Sequence, residues 1–375
     1  MDAEKKLVKG PLALYEQMRL KIVELIEERR LRPHDPLPSE VELAALFGVS
    51  TRTSKEALAA LAKEGIVYRM PRRGTFLSET PDGGSRSVGV ALKLALVLPA
   101  IDDYTGKIVE AAIRAGKRQG ADISLHISGG EPEKEEEMIK EAASMPEIGG
   151  MIWFPGQRKA CSNEVLRLHL FRFPIVIVDR AFREIDITSV SHDHYQGAYD
   201  MTSWLIDQGH RQIGFITEDI EGIMSWEERY HGYLQALLDR GIPFSKPLSY
   251  ICADASDADE GRRRSELRAF LSEHPEMSAV FCANDLLANL AINTCVRAGI
   301  DVPGRLSVAG FTDSSAAIRA IVPITTIRKP PGPLGEAAVS LLMQRIRDPE
   351  HTPPSVQHPT TLIVRESVKC YAGRS

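Results

Sequence analysis

The stretch from Pro38 to Leu58 constrains the fold more than any other part of the chain. It reads as two short helices joined by a tight turn at Phe47-Gly48-Val49. Ser39 and Ser50 each stand where a hydroxyl can accept a backbone N–H at the start of a helix. Leu43, Leu46 and Val49 supply the apolar face that holds the pair together. The second helix opens with Ser50, Thr51, Arg52, Thr53 and Lys55, short hydroxyls and cations at its exposed end. That is the end a recognition helix pushes into the DNA major groove.

Around this pair the pattern completes a small α+β unit. Tyr15, Met18, Ile22, Leu25 and Ile26 recur at helical spacing, and Pro33 and Pro36 end that helix. Ile66 to Tyr68 and Thr75 to Leu77 read as two short strands around Arg69 to Gly74, with Arg72 and Arg73 at the tip. The whole is a winged helix-turn-helix over residues 11–79. Gly, Ser and Pro then cluster without periodicity, so residues 80–92 read as a flexible linker.

From residue 93 to 369 short apolar runs alternate with amphipathic stretches. Strands are expected at Leu94–Leu98, Ile123–Ile127, Gly150–Phe154, Ile175–Val178, Ile213–Ile216, Ser249–Cys252, Ala279–Cys282 and Ser307–Gly310, with helices near 105–119, 195–208, 226–239, 261–273 and 285–298. Such runs imply parallel sheets with helical crossovers. The segment is too long for one doubly wound core, so two α/β lobes with a cleft are expected: 93–190 with 327–350, and 191–326 with 351–369. An eight-stranded barrel is the structural alternative.

Charge follows the same division. The net charge of −5 combines a head (1–79) with 14 Lys+Arg against 12 Asp+Glu and a remainder with 32 against 39. A basic end suits a polyanion. The five cysteines are scattered with no CxxC pair, which argues against a disulfide framework or zinc site. No run approaches the ~18 apolar residues of a membrane span, and no apolar segment follows the charged N-terminus. A soluble, cytoplasmic protein without cofactor or metal is expected.

The head resembles the GntR (gluconate-repressor) family of transcription regulators. The matching residues are Leu37-Pro38-Ser39-Glu40, Glu42-Leu43-Ala44, Phe47 to Leu58, and Gly74-Thr75-Phe76-Leu77. Two positions depart from the family pattern. Thr51 and Arg52 stand where the family has arginine first, a shift of about 100° around a helix. Lys55 stands for a second arginine and lacks its bidentate fork. The resemblance implies double-stranded operator DNA as partner, with Ser39, Ser50, Thr51, Arg52, Thr53, Lys55, Arg72, Arg73, Gly74 and Thr75 as the contact set.

The body resembles the effector-binding half of the LacI (lactose-repressor) family, which shares its fold with periplasmic sugar-binding proteins. The landmarks are Ile175 to Arg180, Leu205 to Ile216 around Gly209-His210, Arg229-Tyr230-His231-Gly232-Tyr233, Phe281 to Asp285, and Val302-Pro303 with Leu306 to Phe311. A GntR-type head on a LacI-type body is the arrangement of the arabinose-repressor group. It implies a homodimeric repressor controlled by a small effector, expected to be a carbohydrate.

Ligands of open α/β sheets bind at the carboxyl ends of strands. Asp179, Asn284, Thr312 and Asp313 follow strands, and Arg229 begins a helix. The family's pocket positions correspond to Asp179, Arg229, Asn284 and Lys329, and Tyr104, Trp153 or Phe154 could cover a pyranose face. Thr312 replaces an aspartate that normally reaches the ligand, which weakens the case for an ordinary hexose. His192-Asp193-His194 reads as a surface turn and not a metal cluster, His210 as holding a turn, and Glu131 to Glu137 as a solvated helix start.

Two other functions compete. A winged helix fused to a transaminase-like enzyme needs a lysine set for Schiff-base formation and phosphate-cradling residues, and no Gly-rich phosphate loop, Gly-x-Ser-x-Gly elbow or His-Glu-x-x-His occurs. A solute-binding protein of the transport type has no use for a DNA-reading head.

Overall fold

The computed structural model describes residues 13–29, 31–32, 34–63, 66–70, 74–77, 92–145, 147–156, 160–182, 185–244, 248–252, 260–348 and 350–371. They form two compact units, meeting in sequence at Val90 and Ala91.

The first unit contains α1 (Leu14–Glu28), α2 (Glu40–Phe47), α3 (Thr51–Lys63) and the hairpin β1 (Val67–Met70) with β2 (Gly74–Leu77). Gly48 ends α2 at φ 69°, a left-handed turn that a side chain disfavours, and its N–H returns to Ala44 O. That turn folds α3 back so that Met18, Ile22, Leu43, Phe47, Leu58 and Leu61 close one core. Ser54, wholly buried, donates to Glu40 O at 2.6 Å and fixes α3 against the start of α2.

The second unit begins with β3 (Leu92–Leu98), α4 (Thr105–Arg118), β4 (Ala121–Ile127), α5 (Pro132–Ser144), β5 (Ile148–Trp153), α6 (Asn163–Leu170), β6 (Ile175–Val178) and β7 (Ser189–His192). It continues with α7 (His194–Asp207), β8 (Ile213–Thr217), α8 (Met224–Asp239), β9 (Ser249–Ile251), α9 (Glu260–Glu273), β10 (Ala279–Cys282), α10 (Asp285–Arg297), β11 (Ser307–Thr312), α11 (Ser315–Arg319) and β12 (Thr325–Arg328). It ends with α12 (Pro331–Arg347), β13 (Val356–His358) and β14 (Thr361–Ile363). One sheet has the order β13-β7-β6-β5-β3-β4, all parallel. The other has the order β14-β12-β11-β10-β8-β9, parallel except for β14. Two open sheets, not a closed barrel, make the body.

Among the described residues the chain crosses between the two sheets at three places. Ser191 and His192 belong to the first sheet. Ile327 and Arg328 belong to the second. Residues 356–358, expected in the second lobe, pair in parallel with β7 and finish the first. Long-range pairing decides this, and local pattern carries no trace of it. The crossings are tied together: Asp193 N–H donates to His358 O at 2.9 Å, and His192 Nε2 donates to Pro330 O at 3.1 Å.

Candidate functional site

The carboxyl ends of strands from both sheets border a cavity of about 510 Å3. That is an ordinary size for a small-molecule site. Tyr104 reaches it from α4, Phe154 from the end of β5, Asp179 and Arg180 from the end of β6. Opposite stand Ser225, Trp226 and Arg229 on α8, Asn284 and Asp285 after β10, and Thr312 with Ser314 after β11. Lys329, on a crossing segment, completes it. Asp179 and Thr312 hold φ 64° and 125°. Strained backbone of this kind re-aims side chains at functional sites.

Asp179 is the centre of the buried polar cluster. It accepts from Tyr104 Oη and from Lys329 Nζ, each at 2.9 Å. His192 Nδ1 and His194 Nε2 lie 3.7 and 3.8 Å from its Oδ1. Burial pushes the carboxyl up, but Lys329 and the two imidazoles outweigh it and hold Asp179 well below the usual range. Lys329 lies over the Tyr104 ring at 4.0 Å, and burial pushes its ammonium down to about 8. Arg229 donates to Ala283 O at 2.7 Å and faces His194 Nδ1 at 3.4 and 3.3 Å. Because a guanidinium only donates, His194 carries its proton on Nε2. Burial, then Arg229, holds His194 neutral.

The expected effector residues divide into those at the cavity and those elsewhere. Tyr104, Phe154, Asp179, Arg229, Asn284, Thr312 and Lys329 border it. Asn284 also caps α10, its Oδ1 accepting the Leu287 N–H at 2.8 Å. Asp313 turns away to Arg328 and Arg365 at 2.6 and 2.5 Å, beside an adjoining hollow of about 400 Å3. Trp153 lies on the other face of β5, stacked on Phe182 at 5.3 Å, and covers no ligand. Strand alternation accounts for this, since neighbouring residues face opposite ways.

His192 and His194 correct the surface-turn reading. Both are buried behind Asp179, while Asp193 caps α7 through the Gln196 N–H. Among the described residues no group of three or more His, Cys, Asp or Glu could hold a metal ion. Sequence reasoning also missed Arg180 and Trp226 as cavity residues. Arg180 sat in the quoted Asp-Arg pair, and its position one past Asp179 was the available signal.

The residues expected to contact DNA belong to the first unit. Ser39 and Glu42 form a reciprocal cap, at 3.3 Å from the Glu42 N–H and 2.8 Å from the Ser39 N–H. Ser50 Oγ accepts the Thr53 N–H at 3.1 Å and lies 2.8 Å from its hydroxyl. Thr51, Arg52 and Lys55 are exposed on the first turns of α3. Arg52 pairs with Glu56 at 3.0 Å while its side chain is 87% exposed, a weak contact. Gly74 is exposed, whereas Thr75 is buried. Arg72 and Arg73 lie outside the described residues.

Comparison with known proteins matches both units. The family model for bacterial regulatory proteins of the gntR family covers residues 14–77, and that for the periplasmic binding protein-like domain covers 202–368. An arabinose metabolism transcriptional repressor of Geobacillus stearothermophilus is 29% identical over 371 residues, 96% of this chain and 98% of the relative. A ribose operon repressor of Haemophilus influenzae is 24% identical, over 87% and 97% of the two chains. Among solved structures, transcription regulator CcpA of Lactococcus lactis aligns with TM-score 0.66 at 22% identity, over 74% of this chain and all of that one. A transcriptional regulator CelR-cellobiose complex aligns with TM-score 0.65 at 24% identity, over 88% and 100%. At these identities the structures show the fold. The chain is a DNA-binding transcription regulator, not an enzyme, with a gntR-family head and a periplasmic binding protein-like body.

Proposed function

We propose that the chain is a cytoplasmic repressor that binds operator DNA as a homodimer and is controlled by a small carbohydrate in the cleft. The observation that carries this reading is the cavity between the lobes, where aromatic faces, charged forks and hydroxyls converge beside the chain crossings. Planar charged groups match the donor and acceptor pattern of sugar hydroxyls, and Tyr104, Phe154 and Trp226 can cover apolar ring faces. Repressors named for arabinose and ribose metabolism among its relatives favour the same class.

In this reading Ser39, Ser50, Thr51, Arg52, Thr53 and Lys55, with Arg72, Arg73, Gly74 and Thr75 of the wing, form the DNA surface. Hydroxyls engaged in capping α2 and α3 keep a lone pair or proton for phosphate. The effector favours one arrangement of the lobes, and the linker passes that preference to the paired heads. Coupling of about 1–3 kcal/mol gives a 5–150-fold change in operator affinity.

The test is a thermal-shift screen of the full chain with pentoses, hexoses, deoxy-sugars and uronates, followed by operator binding with each hit. A compound that raises the melting point and changes operator affinity at least about fivefold is expected. Compounds that bind but leave operator affinity unchanged overturn the coupling.

A further inference from the structure

The cavity wall is unbalanced atom by atom. Arg229 is only 4% exposed, yet every group it touches is neutral: Ala283 O, His194 Nδ1, and the Phe311 ring 4.3 Å from its guanidinium carbon. Among the described residues it has no carboxylate in ion-pair range. Buried charges are ordinarily paired, because taking a cation out of water without a counter-charge costs several kcal/mol.

Four of the nearby carboxylates are engaged elsewhere, while Asp103 borders the cavity as an exposed group. Asp179 has Tyr104 and Lys329. Asp285 accepts from Thr326 Oγ1 at 2.6 Å and from the Ser314 N–H at 2.7 Å. Asp313 holds Arg328 and Arg365. Asp102 caps the first turn of α4. Arg180 adds another cation to the rim, where it donates to Gly156 O. Burial pushes Arg229 down to about 10, against the opposing pull of Asp179, and Arg180 adds a smaller push in the same direction as burial. Ser314 Oγ, which also borders the cavity, is buried without a partner.

A neutral sugar suits such a wall poorly. Its hydroxyls can donate to carboxylates such as Asp103, but they bring no charge to offset the buried guanidinium. An oxyanion only accepts, and two of its oxygens match the guanidinium fork. From this we infer that the effector is an acidic carbohydrate, its carboxylate or phosphate seated against Arg229 and its hydroxyls among Ser225, Thr312 and Ser314. The inference rests on the carbohydrate reading above and narrows it.

The test uses the full chain and three probe sets: D-glucose, D-galactose and L-arabinose; D-glucuronate and D-galacturonate; and glucose 6-phosphate. An acid is expected to raise the melting point at concentrations where its neutral parent has no effect, the uronate and phosphate arms identifying which oxyanion. Arg229→Gln is expected to weaken that acid at least about tenfold, the loss of one charge-assisted pair, and Arg229→Lys to restore part of it. The comparison of acid with neutral parent needs no variant, so it stands even if Arg229→Gln fails to fold. A neutral sugar binding as well as its acid overturns the inference and leaves the carbohydrate reading intact. Acid binding indifferent to Arg229→Gln also overturns it. If no probe binds, the carbohydrate reading falls as well.

Discussion

At the scale of single residues, Asp179 shows how one side chain organises a site. It neutralises Lys329, orients Tyr104 and draws two buried imidazoles around it. Asp179→Asn keeps the shape but leaves a buried ammonium without its counter-charge. Such breaks cost about 3–5 kcal/mol, more than the intact pair contributes relative to an apolar replacement. A large drop in the urea midpoint is therefore expected for Asp179→Asn, and Asp179→Asn with Lys329→Met should recover most of it. If the double variant is no more stable than the single one, the pair is not the source of the loss. Asp179 could be picked out of the sequence because it follows an expected strand, whereas Lys329 is legible only through the family resemblance and Arg229 through its landmark, in the second turn of α8. Their partners could not be picked out. His192 looks like polar surface in a Ser-Val-Ser-His run, yet it ends β7, paired between β6 and β13, and His194 is buried at the start of α7. Glu135 lies in an acidic run that reads as solvated, yet it is buried and accepts the Gly156 N–H at 3.0 Å.

At the scale of elements, strongly apolar strands and amphipathic helices were legible, and elements defined by contact were not. β10 is four buried residues in a row and stands where its sequence pattern places it. β12, β13 and β14 are short and partly polar, and exist as strands through their neighbours. α12, not among the expected helices, opens with prolines, which suit the first turn of a helix. The α7–α8 pair gives the Arg-x-x-Gly landmark a physical meaning. A Cβ added at Gly232 would lie 2.2 Å from Tyr195 O and 3.0 Å from Tyr199 N. The glycine lets α8 lie on α7, and one turn earlier on the same helix Arg229 enters the cavity. Gly232→Ala must push the helices apart, an overpacking cost of about 1–3 kcal/mol. Denaturant unfolding should show that loss, and ligand affinity should fall with it as Arg229 is displaced. A variant with unchanged stability would mean that the helices part freely at this point.

For the whole molecule, two domains with separate cores let DNA grip and small-molecule sensing be varied independently, and salt dependence can measure the first without disturbing the second. Each cation neutralising a phosphate contributes about −0.9 to the slope of log K against log salt. Lys55 is exposed on the first turns of α3, away from the buried face that carries Ala57, Leu58 and Leu61. In a dimer with two engaged heads, Lys55→Ala removes two such contacts, so the slope should become shallower by about 1.8. A change near 0.9 would mean that a single head touches the operator, and no change would place Lys55 off the backbone. Arg52 offers an internal comparison. Its tie to Glu56 is an exposed ion pair worth well under about 1 kcal/mol, so the guanidinium can leave it for a phosphate. Arg52→Ala then lowers the slope as Lys55→Ala does, whereas an arginine that stays on Glu56 leaves it unaltered. Both substitutions lie in the first unit, and the ligand-induced rise in the body's melting transition should be the same as in the parent chain. Loss of that rise in either variant would show that head and body do not divide the work.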